Sequence, residues 1–546
     1  MSTEYFDLGN WHRPVSTSSE AAQVWFDRGL TWLYGFNHDE AVICFEKALE
    51  EDPGCVLAYW GIAFGIGPNY NKAWEMFELP ERISTLDRAH QTIADGLARP
   101  EGSELEKALL GALTSRYPTD PETEDFAPFN DAFVEAMRPI YQANSNDLDI
   151  ASLFAESLMG RTPWQLWDVS IGEPQEGAST VEAREVLETA FQKEPKAWHH
   201  PGLLHMYIHL MEMSPTPELA LPHGDSLANL VPDSGHLTHM ATHIDVLCGE
   251  YQNVIHRNHQ ASIVDRDFTA LRGAANFYTI YRIHNVHFEA YGAMFLAQKE
   301  TALTAARELK QLLPVDVVAF LPGLFEAFWG METHVMVRFG MWQELLDQPL
   351  PEDQELFCFT TALMRYGRVI AAANLGHTEQ AKQELQDFFK AKDIVDEVKT
   401  RFMFNNTASD VLSIAAEMAQ GEYHYKAGDT EKGLNHLRAA TALSDGLVYD
   451  EPWGWMQPPR HALAALLMDQ GQFEEAETIY RGDLGLNNSL ARPCQHPSNV
   501  WALHGLHECL ERRGETAEIR HVKLLLDRAL ARADVRVGSS CFCRAA

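Results

Sequence analysis

The residues best suited to chemistry are histidines, which cluster in two neighbouring segments, "HHPGLLHMYIHLMEM" and "HLTHMATHIDV". His205 and His209 are four residues apart, and His239 and His243 repeat that spacing. On a helix, residues four apart share one face, so each pair can direct two imidazoles to the same side. Neutral imidazole suits copper, zinc, iron and nickel. The spacing therefore predicts that two histidine pairs on neighbouring helices hold a transition-metal ion.

The predicted ligand set has a preferred group and two further candidates. Ligand nitrogens must lie about 2 Å from the metal, which two pairs on helices packed side by side can satisfy. We expect copper first, because several methionines lie close in sequence, and iron or zinc next, because an all-nitrogen set excludes neither. The predicted metal ligands are His205, His209, His239 and His243, followed by His236 and His200.

A third segment, "NFYTIYRIHNVHFEAYGAM", offers residues for catalysis. His284 and His287 are three residues apart, and Tyr281 lies one turn earlier. If this helix neighbours the other two, these side chains could complete the metal site, bind substrate, or act as general acid and base. We therefore expect Tyr281, His284 and His287 to be catalytic residues.

The histidines must be positioned by helices, and a repeat near the N-terminus indicates which kind. Residues 21–55 read "AAQVWFDRGLTWLYGFNHDEAVICFEKALEEDPGC". Gly29 on one helix and Phe45 on the next let two antiparallel helices interlock, and Pro53 ends the unit. This resembles the tetratricopeptide repeat, and weaker copies follow. We predict an all-α solenoid of helical hairpins with long ordered loops, in which the histidine-bearing helices line one concave groove.

The predicted chain has three loops that interrupt the helical rhythm, and we divide it into four segments. Three loops rich in Pro, Gly, Asn and Trp begin near residues 67, 161 and 449 and are expected to wall a pocket. The segments are 1–190, N-terminal helical repeats with aromatic loops; 191–300, histidine-rich repeats forming the metal site; 301–535, C-terminal repeats; and 536–546, a flexible tail.

The composition limits the partners and the compartment. A formal charge of −35 repels polyanions and anionic lipids, so we expect no nucleic acid and no membrane partner. No apolar run reaches the ~18 residues that a membrane span requires. The eight cysteines are scattered apart from Cys541 and Cys543, and the N-terminus lacks a secretory pattern, so we expect a cytoplasmic protein. A small-molecule substrate is the expected partner, and a homo-oligomer is left open.

Two long motifs carry a more specific resemblance. "HPGLLHMYIHLMEMSP" followed by "PDSGHLTHMATHIDVLCGEY" resembles a family of bacterial and fungal tetratricopeptide-repeat proteins, mostly of unassigned function. The shared motifs are HPGxxHxYIHxxE and GHLxHMxxHI. The resemblance marks the predicted histidine ligands and Glu212 as motif positions but implies no role for them. One departure is Ala241, where the family usually has proline.

Two classes of function remain open from the sequence. The first is a metal-dependent oxidoreductase acting on a small organic substrate in the groove, with a zinc-dependent hydrolase or lyase as a variant. The second is a tetratricopeptide interaction scaffold without catalysis. Peptide-binding repeats usually line the groove with Lys, Arg and Asn, whereas this chain supplies imidazoles and negative charge, which favours the enzyme. Glu212 could orient imidazoles, although an acidic residue near a helix is usually solvated.

Overall fold

The computed structural model describes residues 5–544 and is built almost wholly of α-helices. In this part of the chain, the strands form two antiparallel pairs of two residues each, with Trp167 opposite Pro174 and Phe402 opposite Thr407. Helices adjacent in sequence pack against each other as hairpins. The predicted all-α class, with tetratricopeptide-like helical hairpins and ordered loops, is confirmed. No helix within the described range is both long and apolar enough to cross a membrane.

The chain divides between Ile244 and Asp245 into two compact units, and the division falls inside one helix, α12. The segment boundaries predicted at 190, 300 and 535 remain predictions. The first unit and the helix at the division contain α1 (Glu20–Tyr34), α2 (His38–Glu51), α3 (Val56–Gly65), α4 (Leu79–Leu97), α5 (Glu104–Ala112), α6 (Ala127–Ala143), α7 (Leu148–Met159), β1 (Trp167–Asp168), β2 (Glu173–Pro174), α8 (Thr180–Lys193), α9 (Pro201–Glu212), α10 (Leu221–Leu227), α11 (Gly235–His239) and α12 (Ala241–Cys248), with 3-10 turns at Trp74–Met76, Leu113–Ser115, Pro195–His199 and Pro217–Ala220.

The second unit continues the series of helices and holds one short strand pair. Its elements are α13 (Tyr251–Arg272), α14 (Thr279–Phe295), α15 (Lys299–Leu312), α16 (Val315–Phe320), α17 (Pro322–Trp329), α18 (Met331–Arg338), α19 (Trp342–Asp347), α20 (Cys358–Asn374), α21 (Thr378–Val398), β3 (Phe402–Met403), β4 (Asn406–Thr407), α22 (Ala408–Lys426), α23 (Thr430–Asp445), α24 (Pro459–Asp469), α25 (Phe473–Asp483), α26 (Val500–Arg513) and α27 (Ile519–Leu530), with a 3-10 turn at Arg492–Cys494.

The first hairpin shows how small and bulky residues set the helix spacing. Ser19 begins α1, where its hydroxyl accepts a hydrogen bond from the backbone of Ala22. The ring of Phe45 on α2 is buried between glycines of its two neighbours. A Cβ added to Gly29 of α1 would lie 2.7 Å from that ring, and one added to Gly61 of α3 would lie 2.5 Å from it. The interlocking predicted for this repeat is therefore present.

Helix α9 carries the first histidine pair and ends at Glu212, just before Ser214. A 3-10 turn at Pro217–Ala220 follows it and precedes α10. Pro222 is the second residue of α10. A proline is tolerated there because the first N–H groups of a helix have no partner inside the helix.

The segment with the second histidine group differs from the single helix that we predicted. It forms two helices, α11 and α12, with the break at Met240. Ser234 caps α11 by accepting a hydrogen bond from Leu237. Ala241, which is not a proline, is the first residue of α12. Gly249 follows α12 with a φ of +77°, a left-handed conformation that favours glycine at the end of a helix.

We predicted a flexible tail at 536–546, but the described part of this segment makes hydrogen bonds with distant residues. Arg338 donates to the carbonyl oxygen of Ser540 at 3.0 Å, and Lys426 donates to that of Cys543 at 2.6 Å. Cys541 and Cys543 form a disulfide. These long-range contacts hold the segment, up to residue 544, against other parts of the second unit, and no local sequence pattern indicates them. Residues 545–546 lie outside the described range.

Candidate metal centre

The candidate metal centre lies in the first unit and combines side chains from α9, α11 and α12. It contains five histidines, each at most 1% exposed: His205, His209, His236, His239 and His243. One ligand atom each from His205, His209 and His236 lies within 4.8 Å of the other two, and His209 forms a second such group with Glu212 and His243. The fold therefore brings together residues from both predicted histidine pairs, and Glu212 with them.

A backbone contact fixes the proton of His205. Its Nδ1 lies 2.6 Å from the carbonyl oxygen of Tyr34. A carbonyl oxygen can only accept a hydrogen bond, so Nδ1 of a neutral ring carries the proton and Nε2 carries the lone pair. That Nε2 atom is buried and has no hydrogen-bond partner among residues 5–544. His205 thus presents an unprotonated ligand nitrogen.

Glu212 fixes two more imidazoles in the same way. One carboxylate oxygen lies 3.0 Å from Nδ1 of His209, and the other lies 2.8 Å from Nδ1 of His243. An ionised carboxylate only accepts, so both histidines donate through Nδ1 and keep a lone pair on Nε2. Carboxylates that hold a ligand imidazole in this manner also increase its basicity. The Nε2 atom of His209 is buried without a hydrogen-bond partner in the described part of the chain.

The fourth preferred ligand, His239, lies next to His243. Their Nε2 atoms are 2.7 Å apart, and Nδ1 of His239 lies 3.2 Å from the hydroxyl of Thr242. Nitrogens bound to one metal at ~2.0–2.1 Å are themselves about 3 Å apart. The observed separation is close to that value, so this pair can share either one proton or one metal ion.

Burial keeps three of the imidazoles neutral. It lowers the pKa of His205, His209 and His236 well below the ordinary histidine value, and the charge of neighbouring imidazoles lowers each pKa further. A metal binds the neutral imidazole, because the protonated ring has no free lone pair. These three histidines are therefore in their ligating form at neutral pH.

Aromatic rings cover the cluster, and two of the three loops that we expected to wall a pocket supply rings to it. Phe36 lies 4.4 Å, centroid to centroid, from the ring of His205. Tyr70 from the first loop lies 4.9 Å from the ring of His209, and Trp164 from the second loop lies 5.8 Å from it. Sequence reasoning did not single out these three residues. The only signal was the composition of the loops that carry Tyr70 and Trp164.

His200, the last predicted ligand, has both ring nitrogens engaged elsewhere. Its Nδ1 accepts a hydrogen bond from the backbone of Leu203 at 3.0 Å and so caps α9. Its Nε2 lies 3.2 Å from the carboxylate of Asp149. Because neither nitrogen is left to bind a metal in this arrangement, we do not carry His200 into the proposed ligand set.

The three predicted catalytic residues lie in the second unit, on α14, where all are buried. Nε2 of His287 lies 2.7 Å from the sulfur of Met456, and burial lowers the pKa of His287 to about 3. The ring of His284 lies 5.0 Å from that of Phe404, and the ring of Tyr281 packs among neighbouring aromatics. A catalytic role for Tyr281, His284 and His287 stays a prediction.

Comparisons with known proteins bear on the repeat rather than on the histidines. A family model, the tetratricopeptide repeat, matches residues 22–55. A search of curated protein sequences finds no match. Similar solved structures include yeast Tom70, at 12% identity and a TM-score of 0.30, covering 92% of this chain and 98% of that one. The APC/C hetero-tetramer Cut9-Hcn1 is 13% identical with a TM-score of 0.24, covering 93% and 96%.

Similarity at these TM-scores carries no argument about function. The repeat that matches the family model is the hairpin of α1 and α2, whose glycine and phenylalanine contacts are described above. The chain therefore carries a tetratricopeptide repeat at its N-terminal end, within an all-α fold of helical hairpins.

Proposed function

We propose that the first unit is a helical scaffold that binds a transition-metal ion through buried histidines. The observation that carries this proposal is the pair of Nε2 atoms of His205 and His209. Both are unprotonated, buried and without a hydrogen-bond partner among the described residues. A buried polar atom without a partner costs free energy, roughly 1–3 kcal/mol for a neutral group. A metal ion at this position would offset that cost for both atoms.

The proposed ligands are all imidazoles, held in place by Glu212 and by the backbone of Tyr34. Copper is the first expectation, and iron or zinc follows, since such ligands suit all three metals. Glu212 would then neutralise part of the ion's charge without binding it directly. The ligands proposed are His205, His209, His236, His239 and His243.

Two functions are compatible with such a centre, a protein-binding scaffold and an oxidoreductase. The tetratricopeptide match over residues 22–55 favours a scaffold for protein partners, in which the metal would be structural. None of the comparisons points to redox or hydrolytic chemistry. The finer proposal, a metal-dependent oxidoreductase acting on a small organic substrate, depends on the cluster alone. The aromatic cover from Tyr70 and Trp164 supports it, because such a cover can exclude water.

The metal is tested by elemental analysis of protein purified without added metal. We expect stoichiometric copper, iron or zinc in the wild type and its loss in the double variant His239→Ala and His243→Ala. The matched control is the double variant His256→Ala and His259→Ala, which removes two exposed histidines from α13 and should keep the metal. Circular dichroism verifies that each variant folds. If the double variant His239→Ala and His243→Ala does not fold, the single variant His209→Gln is used in its place.

Sub-stoichiometric metal that is equal in all of these proteins would contradict the proposal. A second measurement separates catalysis from a structural role. Structural metal sites are closed by protein ligands, whereas catalytic sites keep a position open. Azide added to the copper-loaded protein should produce a charge-transfer band if a position is open. The absence of that band would contradict the proposed oxidoreductase and would favour the scaffold, in which the metal is structural.

A further inference from the structure

The first unit contains a second site of unusual chemistry, a cavity beside the loop that carries Tyr70. The cavity measures about 30 Å³ and is partly open to solvent. One water needs only ~10–15 Å³ by the same measure, so a group somewhat larger than water fits. Aromatic rings and several polar side chains line it, and three of the latter, Arg116, Trp74 and Glu156, have buried hydrogen-bonding atoms without a partner among the described residues.

Arg116 is buried at 6% exposure and forms no ion pair within residues 5–544. Its guanidinium carbon lies 4.2 Å from the ring centroid of Phe64 and 5.1 Å from that of Phe133. Nη2 donates to the carbonyl oxygen of Pro68, but Nη1 has no hydrogen-bond partner in the described chain. A buried cation with an unused donor is costly unless an anion comes to it.

Two further groups of the cavity have unused hydrogen-bonding atoms. Trp74 is 1% exposed, and its Nε1 donor has no partner among the described residues. The same holds for the Oε1 atom of Glu156. Burial raises the pKa of Glu156 to about 7, although the nearby charge of Arg116 acts in the opposite direction. Below that pH the carboxyl group is protonated and can itself donate a hydrogen bond.

We propose that this cavity binds the carboxylate group of a small organic acid. Arg116 Nη1 and Trp74 Nε1 supply donors for the two carboxylate oxygens, and protonated Glu156 supplies a third. The single charge of a carboxylate matches the single guanidinium, whereas a phosphate dianion would bring excess charge into an apolar cavity. The aromatic walls suit the hydrocarbon part of the acid, which can extend through the open side.

The position of the cavity connects it with the histidine cluster. Tyr70 lines the cavity, and its ring lies 4.9 Å from the ring of His209. A bound acid would therefore be separated from the candidate metal centre by one side chain, that of Tyr70. If the centre is catalytic, small carboxylic acids are its substrate class. This last step rests on the proposed function, whereas binding of the carboxylate needs no metal.

The test is calorimetric titration of metal-free protein with acetate, propionate and benzoate. Acetamide and benzamide serve as neutral controls, and inorganic phosphate serves as the anion control. We expect saturable binding of at least one carboxylate, and an affinity about tenfold lower or worse in Arg116→Gln and several-fold lower in Trp74→Phe. Arg99→Gln is the matched control, because Arg99 also stacks on a ring, that of Tyr59, but does not line the cavity.

The pH dependence provides a second readout. Between about pH 6 and pH 8 the wild-type affinity should fall, because Glu156 loses its proton and then repels the carboxylate. The other titratable groups lining the cavity are Arg116 and Tyr70. In Glu156→Gln the affinity should change little over this range, because the amide keeps a donor and cannot ionise.

Three results would each overturn the inference. They are equal binding of acids and amides, preference for phosphate, and unchanged affinity in both Arg116→Gln and Trp74→Phe. Trp74→Phe keeps an aromatic ring and the charge of Arg116, so it remains informative if the arginine variant does not fold. Carboxylate binding that survives in the double variant His239→Ala and His243→Ala supports the cavity independently of the metal. Metal binding without any carboxylate binding would overturn this inference alone.

Discussion

Glu212 determines the orientation of two proposed ligands by itself. Its oxygens accept hydrogen bonds from Nδ1 of both His209 and His243. In Glu212→Gln the amide oxygen can serve one imidazole, but the NH₂ group faces the other and turns its proton onto Nε2. One ligand is then lost, and we expect the metal affinity to fall about 10–100-fold. Competition with a chelator of known affinity measures this change.

The matched control for that substitution is Glu185→Gln, since Glu185 is exposed on α8 of the same unit. It should leave the affinity unchanged. An affinity in Glu212→Gln equal to that of the wild type would show that Glu212 does not orient the ligands, even if the metal itself is present.

The histidine pairs could be found from the sequence because a spacing of four residues predicts a shared helix face. Glu212 was a weak candidate there, since only the approach of α12 to α9 gives its carboxylate two imidazole donors. His200 shows the reverse case. Its place before a proline makes it the cap of α9, which a search for ligands alone does not consider.

The helices of the first hairpin are spaced by contacts with glycine. In Gly61→Ala the new Cβ would lie 2.5 Å from the ring of Phe45, which is buried and cannot move without displacing α1 and α3. We expect a loss of about 1–3 kcal/mol in the free energy of unfolding, measured by urea denaturation. Gly111→Ala in α5 is the matched control, since its Cβ would meet nothing within 4 Å. That change should be neutral or stabilising by roughly 0.5–1 kcal/mol.

A similar change of stability in both glycine variants would mean that the contact with the ring of Phe45 does not set the cost of Gly61→Ala. Helical periodicity was sufficient to predict these elements, and the small and bulky positions predicted their contact. The break between α11 and α12 was not predicted, because neither Met240 nor Ala241 is a helix breaker. Helical periodicity alone therefore does not indicate where one helix ends and the next begins in this segment.

The division of the whole molecule also depends on contacts between distant residues. It falls between Ile244 and Asp245, inside one helix and inside a motif that looks continuous. Local patterns predicted hairpins throughout, but they do not record which hairpins share a compact unit. The order of the C-terminal segment has the same origin, because partners such as Arg338 and Lys426 lie more than a hundred residues earlier.

The net charge of the whole chain leads to a prediction about salt. A formal charge of −35 produces self-repulsion that weakens the compact state. Raising NaCl from about 20 mM to about 200 mM shortens the screening length from roughly 20 Å to roughly 7 Å. We therefore expect the thermal midpoint of the metal-free protein to rise by a few degrees, as measured by calorimetry. NaF at equal ionic strength should have the same effect if screening is the cause. A midpoint that falls instead would mean that local ion pairs, such as Arg481 with Glu518 at 2.6 Å, outweigh the repulsion between like charges.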